Sequence, residues 1–350
     1  MSTLAGRGAG VLTGPGDAGL LQPLLDAEGV TDVLVNGPDT VWVDRGDGLE
    51  RAAVRFPTEE AVRALAVRLA AAGGRRLDAA SPWVDARLPG GVRMHAVLPP
   101  LAPEGVCLSL RVLRDPGLGL DELVGSRPAA EVLLAVIAAR LALVVTGGTG
   151  TGKTTLLSAM LSCCDPRDRV VLVEDAAELR PRLPHVVRLE ARPPNVEGAG
   201  GVGLRDLVRQ ALRMRPDRLV VGEVRGAEVA ELLLALNTGH EGGATTLHAN
   251  GPGDVVARLE ALGALAGLGR EALHAQVGAA LRVVVHVRRS GRRRHLAAVG
   301  VVEPGAGGLL HVLPALALRS GTPAATGPGA AVLVRLLADR DVPAPACLWS

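Results

Sequence analysis

The chain reads as an α/β protein in which an N-terminal α+β domain is followed by a larger domain with a mostly parallel sheet. Three features of its 350 residues point that way. Short alternating apolar runs surround one long helical pattern in the first hundred or so positions. A buried-strand run then meets a glycine-rich turn and a helix start in LALVVTGGTGTGKTTLL, Leu141 to Leu157. After it, strand, loop and helix alternate, and apolar runs close in acids, the rhythm of a parallel α/β sheet. The length allows about two domains at 100 to 200 residues each. The expected divisions are a flexible leader at 1–16, the α+β domain at 17–114, a linker at 115–128, the α/β domain at 129–304 and a tail without an assigned role at 305–350, with one helix-like run near Ala331 to Leu337.

In order, Leu20 to Ala27 predicts a short amphipathic helix, and TDVLVNG and TVWVDR predict strands joined by the Asn36-Gly37-Pro38-Asp39 turn. Thr58 is the expected N-cap of a helix with Glu59 and Glu60 at its positive end, stopped after Ala72 by Gly73-Gly74. WVDARL, GVRMHAVLP and GVCLSLRVL follow as strands carrying Arg87, Arg93 and Arg111, with Arg114 just beyond. Prolines and glycines interrupt DPGLGLDELVGSRP, the linker.

The turn from Gly147 to Thr154 fits G-x-x-x-x-G-K-[ST], the phosphate-binding P-loop. Gly147, Gly148, Gly150 and Gly152, with Thr149 and Thr151 between them, are expected to allow positive φ and inward-pointing amides. Lys153 would reach the β and γ phosphates, and Thr154, next to Thr155, would hold Mg²⁺ at the helix start. Of 38 basic residues, Lys153 is the only lysine. A compact ammonium fits a phosphate cradle where a planar guanidinium does not.

Beyond the P-loop, VVLVEDAAELR places Glu174, Asp175 and Glu178 where a parallel strand ends, the side on which such sheets hold ligands. A carboxylate there can orient or deprotonate water. LVVGE ends another apolar run in Glu223, positioned to hold Mg²⁺ directly or through water. The stretch TGHEGGATTLHAN reads as polar loop with His240 and His248, lacking the third ligand a metal site requires. RVVVHVRR and RRRHLAAVGVVE predict a hairpin whose arginines, 288, 289 and 292 to 294, are read as a solvated tip, with an acidic partner or anionic lipid as the alternative.

Composition narrows the partners. A net charge of +2, one Phe, three Trp and no Tyr argue against direct nucleic-acid contact. The four cysteines lack metal or redox spacing and read as reduced thiols. No apolar run reaches the roughly 20 residues that a membrane helix requires.

GGTGTGKTT, VEDAAEL, LRMRPDRLVVGEVRG and TGHEGGATTLHAN, in this order and spacing, resemble the type II and type IV secretion ATPases. VNGPDTVWV, DARLPGGVRM and PHVVRLEARPPNVEGAGG look most like the tight-adherence (Flp) pilus ATPases, the TadA/CpaF group. The resemblance spans roughly Leu20 to Glu303 and departs from the family at Glu241. It implies a RecA-like motor domain and a ring homohexamer that binds ATP and Mg²⁺. It also implies a polytopic inner-membrane platform protein as partner, hence indirect membrane association from the cytoplasm. By the same resemblance, Gly147 to Thr154 form the Walker A loop, and Glu174, Asp175 and Glu178 the acidic box with Glu178 as general base. Glu223 is the Walker B acid, His240 and His248 fall in the histidine box, Arg213 and Arg215 precede Walker B, and Arg93 and Arg111 are phosphate sensors. The expected activity is ATP hydrolysis powering pilus assembly or secretion. A conjugal DNA-transfer ATPase and a non-hydrolysing, nucleotide-dependent scaffold are the alternatives.

Overall fold

The computed structural model describes residues 17–46, 48–112, 117–194, 198–290, 293–318 and 325–349; the expected leader, Arg114 and Arg292 lie outside the described residues. The chain divides into two compact units, one ending at Arg114 and the other beginning at Asp115.

The first unit holds helix α1 (Gln22–Asp26), strands β1 (Asp32–Asn36), β2 (Val41–Asp44) and β3 (Leu49–Arg51), helix α2 (Glu59–Ala72), and strands β4 (Trp83–Arg87), β5 (Val92–Val97) and β6 (Cys107–Val112). The strands form one antiparallel sheet in the order β3-β2-β1-β6-β5-β4. Strand alternation sends Val33, Val35, Met94, Ala96, Leu108 and Leu110 to one face, where they pack with Val62, Leu65 and Leu69 of α2. Thr58 caps α2 as expected, its Oγ1 accepting from the Ala61 amide at 3.2 Å. On the opposite face the register lines up Asp44, Asp32, Arg111, Arg93 and Arg87 across five strands.

The second unit continues with α3 (Leu120–Val124), α4 (Arg127–Ala138), β7 (Leu143–Thr146), α5 (Lys153–Leu161), β8 (Val170–Glu174), β9 (Val186–Glu190), α6 (Leu204–Ala211), β10 (Arg218–Val221), α7 (Val229–Asn237) and β11 (Ala244–Leu247). It closes with α8 (Val255–Leu265), α9 (Arg270–Ala280), β12 (Val283–Ser290), β13 (Arg293–Pro304), β14 (Leu310–Ala317), β15 (Ala325–Thr326) and α10 (Gly329–Ala338). Its sheet runs β15-β14-β13-β12-β7-β11-β10-β8-β9. From β12 to β9 all neighbours are parallel, while β12, β13, β14 and β15 pair antiparallel.

Because both faces are covered, the central strands β7, β8, β10 and β11 are buried along their whole length rather than on alternate residues. Leu143 and Val145 pack with α4, α5 and α10 on one side, and Val144 packs with residues of α6, α7, α8 and α9 on the other. The structure adds elements that the sequence did not signal. The linker carries α3, whose first turn is held by Glu122 accepting from the Gly119 amide at 2.9 Å. The segment from 305 onward builds β14, with Leu316 fully buried, whereas the helix-like run near Ala331 to Leu337 forms α10 as expected, with Leu333 and Leu337 fully buried. Most consequentially, ATTL is a strand, β11, between β7 and β10.

Candidate nucleotide site

The P-loop leaves the carboxyl end of β7, which is buried along its whole length between β11 and β12. Gly147 has φ +153°, and a Cβ there would stand 2.5 Å from the Val287 carbonyl oxygen and 2.7 Å from Thr151 Oγ1. Gly150 and Gly152 take φ values of +71° and +92°. Gly148 does not enter the left-handed region, contrary to the expectation for all four glycines; Thr151 Oγ1 bonds its carbonyl instead, at 2.9 Å. Gly148, Thr149 and Gly150 form the exposed crest of the loop, while Thr154 and Thr155 are half-buried in the first turn of α5.

Lys153 opens α5, and its ammonium donates to the carbonyls of Gly147 at 3.2 Å and Gly148 at 3.0 Å. Burial lowers its pKa, a tendency opposed by the carboxylates of Glu223 and Glu178 and reinforced by Arg225. Its Nζ also lies 3.4 Å from both ring nitrogens of His248. His248 Nε2 in turn lies 2.6 Å from Glu223 Oε1, close enough for an ion pair although the angle is not that of a hydrogen bond. Burial, then the Lys153 charge, pull the imidazole pKa down, and Glu223 pulls it up. Arg225 Nε holds the other carboxylate oxygen of Glu223 at 2.6 Å.

The three acids after β8 do different things. Glu174 is buried, and its Oε1 accepts from the amides of Glu178 and Leu179, both at 2.9 Å. Burial raises its pKa against those two bonds. A Cβ on Gly222 would come within 2.8 Å of Glu174 Cγ, so that glycine is what admits the carboxyl beside β10. Glu174 therefore fixes the backbone of the loop that presents Glu178. Glu178 is half-buried within electrostatic reach of Lys153 and Arg225, and Asp175 is exposed and acts on Arg225.

Further residues shape the site without having been singled out in the sequence. Arg225 is one; Glu228 is another, its Oε1 accepting from the amides of Arg225 at 2.6 Å and Gly226 at 2.8 Å. Thr246 Oγ1 donates to the Gly222 carbonyl at 2.7 Å and ties β11 to the turn that carries Glu223. The arginine two positions after the acid in GEVRG was the available signal. The tip arginines need correction as well. Arg289 and Arg294 lie along the P-loop, beside Gly150 and Gly152, rather than only in solvent.

Several expected site residues are not brought to the P-loop within the unit. β11 runs parallel to β7, so His248 follows its carboxyl end while His240 precedes its amino end, at the opposite edge of the sheet. The intervening four-residue strand spans about 13 Å at the usual rise per residue. His240 Nδ1 instead lies 3.2 Å from the Ala235 carbonyl. Arg213 and Arg215 share that far edge ahead of β10, Arg213 donating to the Arg209 carbonyl at 3.1 Å. Arg93 and Arg111 belong to the first unit, opposite each other in register, with Arg111 Nε bonded to Asp32 at 2.9 Å.

A phosphate-binding loop at the carboxyl edge of a mainly parallel, two-sided α/β sheet defines the class: a P-loop protein. The type II/IV secretion system protein family matches residues 16–298, and the chain belongs to that family of secretion ATPases. It is 61% identical over 302 residues to a putative conjugal transfer protein of Mycobacterium tuberculosis, covering 83% of this chain and 86% of the relative. The conjugal transfer protein TrbB of Rhizobium radiobacter is 32% identical over 288 residues, covering 80% and 85%. Among solved structures, the ATPase DotB of Legionella pneumophila superposes with a TM-score of 0.55 at 19% identity, covering 84% of this chain and 78% of that one, and shares the fold.

Proposed function

We propose that this chain hydrolyses ATP and that the released energy drives a secretion or pilus-assembly machine. The observation that supports it most is the convergence of Lys153, His248 and Glu223 at the mouth of a glycine cradle that no Cβ could enter at Gly147. In this reading the loop amides and Lys153 hold the phosphates, and Thr154 with Glu223 are the residues that would hold Mg²⁺. Bound there, the cation would neutralise charge on the phosphate oxygens. Glu178 takes a proton from the attacking water as the γ-phosphorus–oxygen bond to ADP breaks, and Glu174 positions Glu178. Asp175 tunes Arg225, and His248 couples Lys153 to Glu223.

At the level of assembly, the proposal is a homohexamer in which Arg93 and Arg111 of the first unit serve as phosphate sensors, working with a polytopic membrane platform protein. The tight-adherence motifs support a pilus role, whereas the names of the curated relatives favour conjugal transfer as the second reading. Among the described residues no helix is long and apolar enough to cross a membrane. Phosphate release measured on wild type, Glu178→Gln and Glu223→Gln is the test. Each variant should lose on the order of 10²- to 10⁴-fold in turnover while still binding ATP. Full turnover in both would sink the hydrolytic assignment, and a wild type that binds ATP without cleaving it would leave the scaffold reading. Stimulation by single-stranded DNA that weakens with salt would favour the conjugal one.

A further inference from the structure

We propose that Arg289 and Arg294 form the α-phosphate side of the nucleotide site, an inference that rests on the nucleotide reading above. Between His286 and Val287 the pairing of β12 with β13 shifts register, and beyond that irregularity the hairpin runs along the P-loop. The Val287 carbonyl closes on Gly147, Arg289 Nη1 lies 3.9 Å from the point where a Cβ would project from Gly150, and Arg294 Cδ lies 3.2 Å from that point at Gly152. The two arginines stand directly opposite each other across the hairpin, both exposed.

Their flank of the loop decides which part of the ligand they meet. β7 has β11 and then β10 on one side, and β12 on the other. Glu223 and His248 rise from the β10 and β11 side, and Lys153 leans toward them. The γ-phosphate, which must reach those groups, therefore points away from the hairpin. The loop amides hold the phosphates between, so the opposite flank faces the α-phosphate end of the nucleotide. Two guanidinium forks there offer donors that match phosphate oxygens.

Equilibrium titration with ATP and with ADP, together with steady-state phosphate release, tests this on Arg289→Ala, Arg294→Ala, the double variant and the corresponding lysine variants. Each alanine variant should weaken ATP and ADP by the same factor, about five- to tenfold, as expected for an exposed charge-assisted hydrogen bond. KM should rise by that factor with kcat held within about twofold, lysine should restore part of the affinity, and added salt should shrink the difference. Unchanged affinities, or a loss confined to ATP together with a fall in kcat, would overturn the assignment. The first outcome beside a wild type that binds both nucleotides ends only the role of the arginines. A wild type that binds neither ends the site reading itself, and this inference with it. Thermal unfolding at the wild-type midpoint separates a binding defect from a folding one.

Discussion

Gly147 has less room than any other glycine of the P-loop, and both of its constraints act at once. Its φ is one that L side chains rarely adopt, and a methyl group would meet a backbone carbonyl that cannot rotate away, 2.5 Å from Val287 O. Gly147→Ala should therefore displace either the loop or the hairpin, at about 1–3 kcal/mol of stability. Nucleotide titration alongside thermal unfolding checks this, and a variant with wild-type affinity and midpoint would show that the contact relaxes freely. Gly148→Ala is the natural comparison. Its φ is ordinary and its nearest neighbour, Thr151 Cγ2, is 3.7 Å from the added Cβ, so the change should be mild.

At the scale of elements, the sheet is tied together at the edge opposite the site. Asp168, just ahead of β8, receives Arg218 Nε at 2.7 Å and also pairs with Arg140, while Arg218 Nη2 bonds the Ile137 carbonyl at 3.0 Å. Asp168 and Arg218 are almost wholly buried, and breaking such a pair leaves an uncompensated charge in the interior. Asp168→Ala should cost about 3–5 kcal/mol. Urea unfolding measures it, and a loss under about 1 kcal/mol would mean that Arg218 finds water or another acceptor.

The elements also show what could be read from the chain and what could not. The P-loop, the acidic turn after β8 and the Glu223 turn were legible because each couples an apolar strand to chemistry at its end. β11 was not. Its two central residues are Thr245 and Thr246, and glycines precede it, so local chemistry signals a loop. Tertiary context made it a strand: its flanks are β7 and β10, and Thr246 finds its acceptor only on the Gly222 carbonyl. Reading that stretch as loop kept His240 and His248 together, and recognising the strand separates them. The hairpin arginines went unread for a different reason, since nothing in their spacing shows that the hairpin runs along the P-loop. In the last segment, β14 is interrupted by Pro314 and bounded by glycines, so its pattern did not show that it pairs antiparallel with β13.

For the molecule as a whole, one buried histidine sets a lower pH limit. His286 lies in the core beneath the P-loop, its Nδ1 2.9 Å from Thr146 Oγ1 and its Nε2 without a hydrogen-bond partner. Burial lowers its pKa, Arg288 adds to the effect and Asp254 opposes it, so the folded state favours the neutral ring. The unfolded chain then binds more protons as pH falls. Stability should be complete above the ordinary histidine value of about 6.5 and decline below it. Unfolding midpoints followed from pH 8 to 5 should show that decline, with a shallower slope in His286→Gln, whereas a flat profile in wild type would speak against it. His248 shifts in the same direction from a half-buried position and adds to the slope.

The solitary lysine has a chemical corollary. Among the side chains of this sequence, only Lys153 offers a primary amine, and it sits inside the phosphate cradle. Any acyl transfer to a side-chain nitrogen of this kind, enzymatic or by reagent, would erase the cradle's cation rather than decorate the surface. Bound triphosphate would shield that nitrogen, so the susceptibility of a single atom would report occupancy of the cradle.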